Sequence, residues 1–159
     1  MINMTNEAYK EAGLAIIQKI PTPITPVEFD KQRRVIALAY FEKQSTVDYI
    51  GAAQGLPICF EAKETARACL PLDNFHAHQI DFMTNFEKQG GAAFVLARFT
   101  KTRECFFLPF SALKEYWQNA AAGGRKSVPY NVFDKNYAIT GKGRFLLHYL
   151  EPLDRYLSN

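Results

Sequence analysis

The strongest helical period in the chain lies in PLDNFHAHQIDFMTNFEKQGG, residues 71–91. Phe75, Phe82, Met83 and Phe86 return to one side at helical spacing, so the segment predicts an amphipathic helix. Pro71 precedes it, Asp73 suits the N-cap, and Gly90–Gly91 end it. Residues 5–20 predict another helix, with Thr5 as N-cap and Leu14, Ile17 and Ile20 in its apolar stripe. PTPITP stops that helix, because proline cannot continue it and drives the preceding residue to extended geometry. AAFVLARF (92–99) and ECFFLP (104–109) are short apolar runs and predict buried strands. Two further strands, about 46–50 and 56–64, are joined by GAAQG, whose glycines permit the positive φ of a hairpin turn. A helix is expected at about 110–120, a loop in AAGGRKSVPYN, a short extended pair in YAITGKGRFLLHYL and a helical turn in EPLDRYL. VEFDKQRRVIALAYFEKQ (27–44) fits either short helix or strand and reads as an excursion. The alternation of helices and strands predicts an α/β fold around a small mixed β-sheet flanked by helices. No repeat, low-complexity tract or linker divides the chain, so residues 1–159 read as one domain.

Side chains alternate along a strand. In ICFEAKE, Ile58, Phe60 and Ala62 share the face that meets the core, and Cys59, Glu61 and Lys63 share the other. Hairpin pairing across GAAQG brings Asp48 toward Glu61. Two carboxylates and one ammonium make a coherent site for phosphodiester cleavage. Hard oxygen ligands hold Mg²⁺ while leaving positions for water and phosphate. The bound ion acidifies water, and a lysine stabilises charge developing on the phosphate. A salt-bridged surface hairpin fits the bare D-x(12)-E-x-K spacing as well. Gln79 sits four residues after Phe75 and three before Phe82, on the apolar stripe, where an unpaired amide costs roughly 1–3 kcal/mol. A metal, its water or a backbone group would satisfy it. His76 and His78, two apart, are not expected to face one another on a helix. Thr46 is a β-branched residue two before Asp48.

Composition adds little that discriminates. The chain has 159 residues, 48% hydrophobic and 22% charged, with net charge +3, which permits nucleic-acid binding without demanding it. Cys59, Cys69 and Cys105 are scattered and form no CxxC pair, which disfavours a zinc ribbon and suits a reducing, cytoplasmic compartment. No apolar run is long enough to span a bilayer and the N-terminus lacks the pattern of a signal peptide, so no membrane association is expected.

YFEKQSTVDYIG, FEAKET, LPLDNFHAHQIDFM and GRKSVPY, with AIIQKIPTP before them and LEPLDRYL after, resemble in order the RecU-type Holliday junction resolvases. The resemblance implies a restriction-endonuclease-like core with a protruding stalk. It implies a Mg²⁺-dependent homodimer, with Mn²⁺ as a substitute, that nicks four-way DNA junctions in recombination and repair. It implies metal ligation by Thr46, Asp48, Glu61 and Gln79 and transition-state stabilisation by Lys63. The stalk falls at residues 24–44, and Lys31, Arg33 and Arg34 become candidates for contacting the junction. Arg125, Lys126, Lys142 and Arg144 are further candidates for phosphate contacts, those in GGRKS helped by neighbouring glycines. A recombinase is a candidate protein partner. The family pattern has a longer basic N-terminal arm, then a glycine and a glutamate opening the first helix; Glu7 and Glu11 lie near that glutamate but out of register. The alternative on the same fold is a junction-binding or recombinase-modulating module that does not cut. A metal-dependent nuclease without junction preference and a purely structural protein are further alternatives.

Overall fold

The structure is a computed structural model that describes residues 1–41 and 46–158. The elements run α1 Ile2–Glu11, β1 Ala15–Lys19, β2 Ile24–Asp30, β3 Val35–Phe41, β4 Tyr49–Ala53, β5 Leu56–Thr65, β6 Cys69–Pro71, α2 Ala77–Lys88, β7 Ala92–Phe99, β8 Glu104–Pro109, α3 Phe110–Ala121, β9 Ser127–Pro129 and α4 Leu150–Leu157. Five strands form the central sheet in the order β1-β4-β5-β7-β8. β5 and β7 are parallel and every other neighbour is antiparallel. The parallel pair needs a crossover, and β6 with α2 supplies it.

Both faces of this sheet are covered, which is why AAFVLARF is apolar at every position but the exposed Arg98 instead of alternating. Ala93, Val95, Ala97 and Phe99 of β7 join one core with Ile80 and Met83 of α2 and Leu113 of α3. Ala92, Phe94 and Leu96 join the other with Tyr9 of α1 and Leu153 of α4. The result is the nuclease-like α/β architecture expected from the sequence, a small mixed sheet between helices.

Several elements depart from expectation. The first helix ends at Glu11, not at residue 20. Gly13 takes a left-handed φ of +66°, and Ala15–Lys19 then pairs with Tyr49–Ala53 as an edge strand. Leu14 and Ile17 still pack on the α1/α4 core, but Leu14 from the bend before β1 and Ile17 from the strand, where a β-branched residue fits well. Thr5 is no N-cap; it is buried inside α1 and its Oγ1 accepts a hydrogen bond from Leu147 N at 3.1 Å. Gly51 lies in β4, where a Cβ would sit 2.1 Å from the Ile16 carbonyl oxygen, so glycine is what lets β1 approach. Gln54 and Gly55, both at positive φ, make the β4–β5 turn.

Asp73 does not cap α2. It lies in a 3₁₀ turn, Leu72–Asn74, and α2 starts at Ala77 with His76 as N-cap. Phe75 is therefore extended (φ −115°, ψ 148°) and stands outside the helix. Ser127–Pro129, expected as loop, pairs with Cys69–Pro71. β2 and β3 form a separate antiparallel hairpin with register shifts after Pro26, and Ile24, Val27, Phe29, Leu38 and Tyr40 are exposed along it. It spans residues 24–41 of the segment expected as a stalk; 42–44 lie outside the described residues. Cys59, Cys69 and Cys105 are unpaired. Among the described residues, no helix is long and apolar enough to cross a membrane.

Candidate active site

The β4–β5 register pairs Tyr49 with Phe60, which puts Asp48 opposite Glu61 just beyond the last pair. Three hydrogen bonds hold them there. Ile20 N donates to the Asp48 carbonyl at 2.8 Å, extending the β1–β4 ladder by one rung. Asp48 N donates to Glu61 Oε1 at 3.0 Å. Ala62 N donates to Asp48 Oδ2 at 2.9 Å. Each acid is thus latched by the other's strand.

The odd-numbered face of β5 is not the polar face that alternation suggests. Cys59 is in the α2/α3 core and Glu61 has 0% exposure. Only Lys63, its side chain 17% exposed, reaches toward solvent. Its Nζ lies 2.7 Å from Glu61 Oε2. Beyond that ion pair, the buried Oε2 makes no hydrogen bond among the described residues. Burial pushes the Glu61 carboxyl up to about 7, against the pull of the Lys63 ammonium; the neighbouring Asp48 carboxyl adds to the rise. A pair displayed on a surface hairpin would not be buried in this way. On the other side of Lys63 is Phe75, whose ring centre is 5.3 Å from Nζ.

The remaining predicted ligands are placed differently. Thr46 is exposed, in the bend before β4 and not on a strand. Gln79 is the third residue of α2 and is buried, as its place on the apolar stripe requires. Its Oε1 accepts from His76 N at 3.0 Å, so a backbone amide satisfies it, as a capping residue. His76 and His78 do face one another, contrary to expectation: their rings stack at 5.5 Å, because His76 precedes the helix and is extended. A cavity of about 370 Å³ opens beside Lys63 on the α1 side, lined in part by Tyr49, Ala62, Glu64 and Arg98.

Lys31, Arg33 and Arg34 are exposed at the β2–β3 turn. Asp30 Oδ1 builds that turn by accepting from Gln32 N and Arg33 N, each at 3.0 Å. Arg125 and Lys126 are exposed in the loop before β9, and the Lys126 carbonyl accepts from Leu72 N at 3.1 Å, tying this loop to the segment that carries Phe75. Lys142 lies 3.6 Å from Glu151 and Arg144 lies 3.7 Å from Glu11. Both pairs are exposed and so weak enough to exchange for a stronger anion. Sequence reasoning missed Phe75 as a neighbour of Lys63. It lies within NFHAHQ, but helical counting assigned it to the α2 stripe.

A family description reading "Recombination protein U" matches residues 1–155. A protein of Pediococcus pentosaceus named Holliday junction resolvase RecU is 40% identical over 163 residues, covering 99% of this chain and 81% of that protein. One of the same name from Geobacillus sp. (strain WCH70) is 46% identical over 138 residues, covering 84% of this chain and 69% of the relative. That of Lactococcus lactis subsp. lactis is 43% identical over 159 residues, 97% and 74%. With a family match that runs from α1 into α4 and takes in Asp48, Glu61 and Lys63, the chain belongs to the RecU family.

Proposed function

We propose that this chain is a metal-dependent endonuclease that resolves Holliday junctions by paired nicks. The relatives' shared name supports the junction as substrate. The observation that carries the chemistry is the buried Glu61 carboxylate, whose Oε2 meets only the Lys63 ammonium, beside the second carboxylate of Asp48.

The donor set fits a hard divalent cation, Mg²⁺ with Mn²⁺ as a substitute. Among the described residues no group of three or more His, Cys, Asp and Glu side chains assembles. Two carboxylates are what Mg²⁺ commonly takes from protein when phosphate and water complete its shell. Asp48 and Glu61 would hold it. The Thr46 hydroxyl and the second lone pair of Gln79 Oε1 are candidates to complete the protein's share. When bound, the cation would acidify a water and offset charge on the phosphate.

The chain's own groups do the rest. The lattice of Ile20, Asp48, Glu61 and Ala62 hydrogen bonds fixes both carboxylates before substrate arrives, so little reorganisation opposes the reaction. Lys63 carries an ammonium at the mouth of the site, where negative charge develops on the scissile phosphate. One such donor is worth roughly 2.7–4 kcal/mol of barrier. Burial of Glu61 lowers the local dielectric and strengthens each of these interactions.

A four-way junction has near two-fold symmetry and needs two nicks in strands of like polarity. A C₂ dimer supplies two equivalent sites, so a homodimer is the working form. The whole chain acts as one nuclease domain, with the β2–β3 hairpin as its stalk and Lys31, Arg33 and Arg34 at the tip meeting junction phosphates. Arg125, Lys126, Lys142 and Arg144 hold the arms through phosphate contacts that set register without reading bases. The test is cleavage of a labelled four-way junction against linear duplex of the same sequence in Mg²⁺. Asp48→Asn and Glu61→Gln are expected to bind the junction but not cut it. Equal cutting of both substrates would remove the junction assignment, and a wild-type rate in either variant would remove the site.

A further inference from the structure

The Lys63 ammonium has two neighbours of different kinds, and the catalytic reading uses only one. Glu61 Oε2 lies 2.7 Å away and attracts its charge. The Phe75 ring lies with its centre 5.3 Å from Nζ, within the range of about 6 Å in which the negative face of an aromatic ring attracts a cation.

The ring is held far more firmly than a surface aromatic. Phe75 is 3% exposed and belongs to the core that contains Val47, Cys59, Leu72 and Ile80. Its backbone N donates to the Leu72 carbonyl at 2.9 Å, closing the 3₁₀ turn, and the next residue is the N-cap of α2. The extended backbone at Phe75 follows from that turn and that cap. The ring is therefore a fixed wall, while the lysine is a four-carbon stem with several rotatable bonds.

We infer that Phe75 is the positioning residue for Lys63: its ring holds the ammonium at the mouth of the site by a cation–π contact, leaving the Glu61 carboxylate to hold the cation. The inference rests on the reading of Lys63 as the transition-state donor. It gives the phenylalanine of NFHAHQ a task that helical periodicity had hidden.

The test replaces Phe75 with phenylalanines of increasing ring fluorination, which keep its shape and withdraw the negative face. Single-turnover cleavage of a four-way junction in Mg²⁺ is then measured beside junction affinity. Cleavage is expected to fall stepwise, by roughly 2- to 30-fold in all, the range a contact of this class supports, with affinity unchanged. Phe75→Tyr keeps the ring face and is expected to retain the rate. In the metal-free protein the Lys63 ε-methylene resonance should carry a ring-current shift that Phe75→Leu removes. The effect should disappear in a Lys63→Met background. A fluorination series with a flat rate, a loss that persists undiminished in Lys63→Met, or a Lys63 resonance unmoved by Phe75→Leu each overturns the assignment. If instead Lys63→Met cuts at wild-type rate, it is the catalytic reading that fails. Where Phe75→Leu does not fold, the fluorinated series and Phe75→Tyr decide the matter.

Discussion

Glu61→Gln should make the metal-free protein more stable while destroying its activity. Burial raises the folded-state pKa of Glu61 to about 7 from an ordinary 4.5. A raised acid pKa means that the folded chain binds more protons than the unfolded chain between those values. Stability therefore falls as pH rises from about 4.5 to about 7, and stays reduced above it. At 1.36 kcal/mol per pH unit, the whole loss is roughly 3 kcal/mol at pH 8 and under ~1 kcal/mol at pH 5. Glutamine cannot ionise, and its Oε1 still accepts from Asp48 N. The Lys63 ammonium loses its counter-ion but reaches solvent, at a cost on the order of 1 kcal/mol. The variant should thus gain ~1–3 kcal/mol at pH 8, a rise of roughly 2–12 °C in Tm for a chain of this size. Urea unfolding in chelator at pH 8 and pH 5 measures it. A variant less stable than wild type at pH 8, or a difference that does not change with pH, would refute the reasoning.

Other outcomes follow from the same geometry. Cleavage should rise as pH climbs toward 7, because only ionised Glu61 binds the cation, with a midpoint that moves lower as Mg²⁺ concentration increases; a flat or falling profile would contradict this. Mn²⁺ or Mg²⁺ should raise the Tm of wild type but not of Asp48→Asn, read by calorimetry without DNA, and an equal rise in both would place the ion elsewhere. Gly51→Val should cost at least about 3 kcal/mol by urea unfolding, since its side chain would drive β1 from β4 and break the Ile20–Asp48 bond; wild-type stability would mean that β1 does not pack there. Alanine at Lys31, Arg33 or Arg34 should each lower the salt dependence of junction binding by about 0.9 in slope, and an unchanged slope would remove that residue from the interface.

The two features that build the candidate site were legible because they depend on long or paired signals. β7 is apolar from Ala92 to Ala97 without a break, and hairpin register alone brings Asp48 to Glu61. The burial of Glu61 was not legible, since alternation assigns it to an open face and only packing of α2 across the sheet closes that face. The N-terminal segment misled because Ile17 suits a helical stripe as well as a strand; Gly13, in the left-handed region, settles it. β6 and β9 are three residues each, too short for any period to register. Gln79 was recognised as a buried amide in need of a partner, and a backbone amide is the partner found, while Phe75 was displaced from its helix by a 3₁₀ turn that no spacing rule predicts.

A Mn²⁺-soaked crystal examined by anomalous scattering tests the account at its root. It should show an ion at direct coordination distance from carboxylate oxygens of both Asp48 and Glu61, with the Lys63 ammonium swung off Oε2 yet still over the Phe75 ring. Density that avoids these two acids, or an intact Glu61–Lys63 pair beside an ion bound elsewhere, would contradict it.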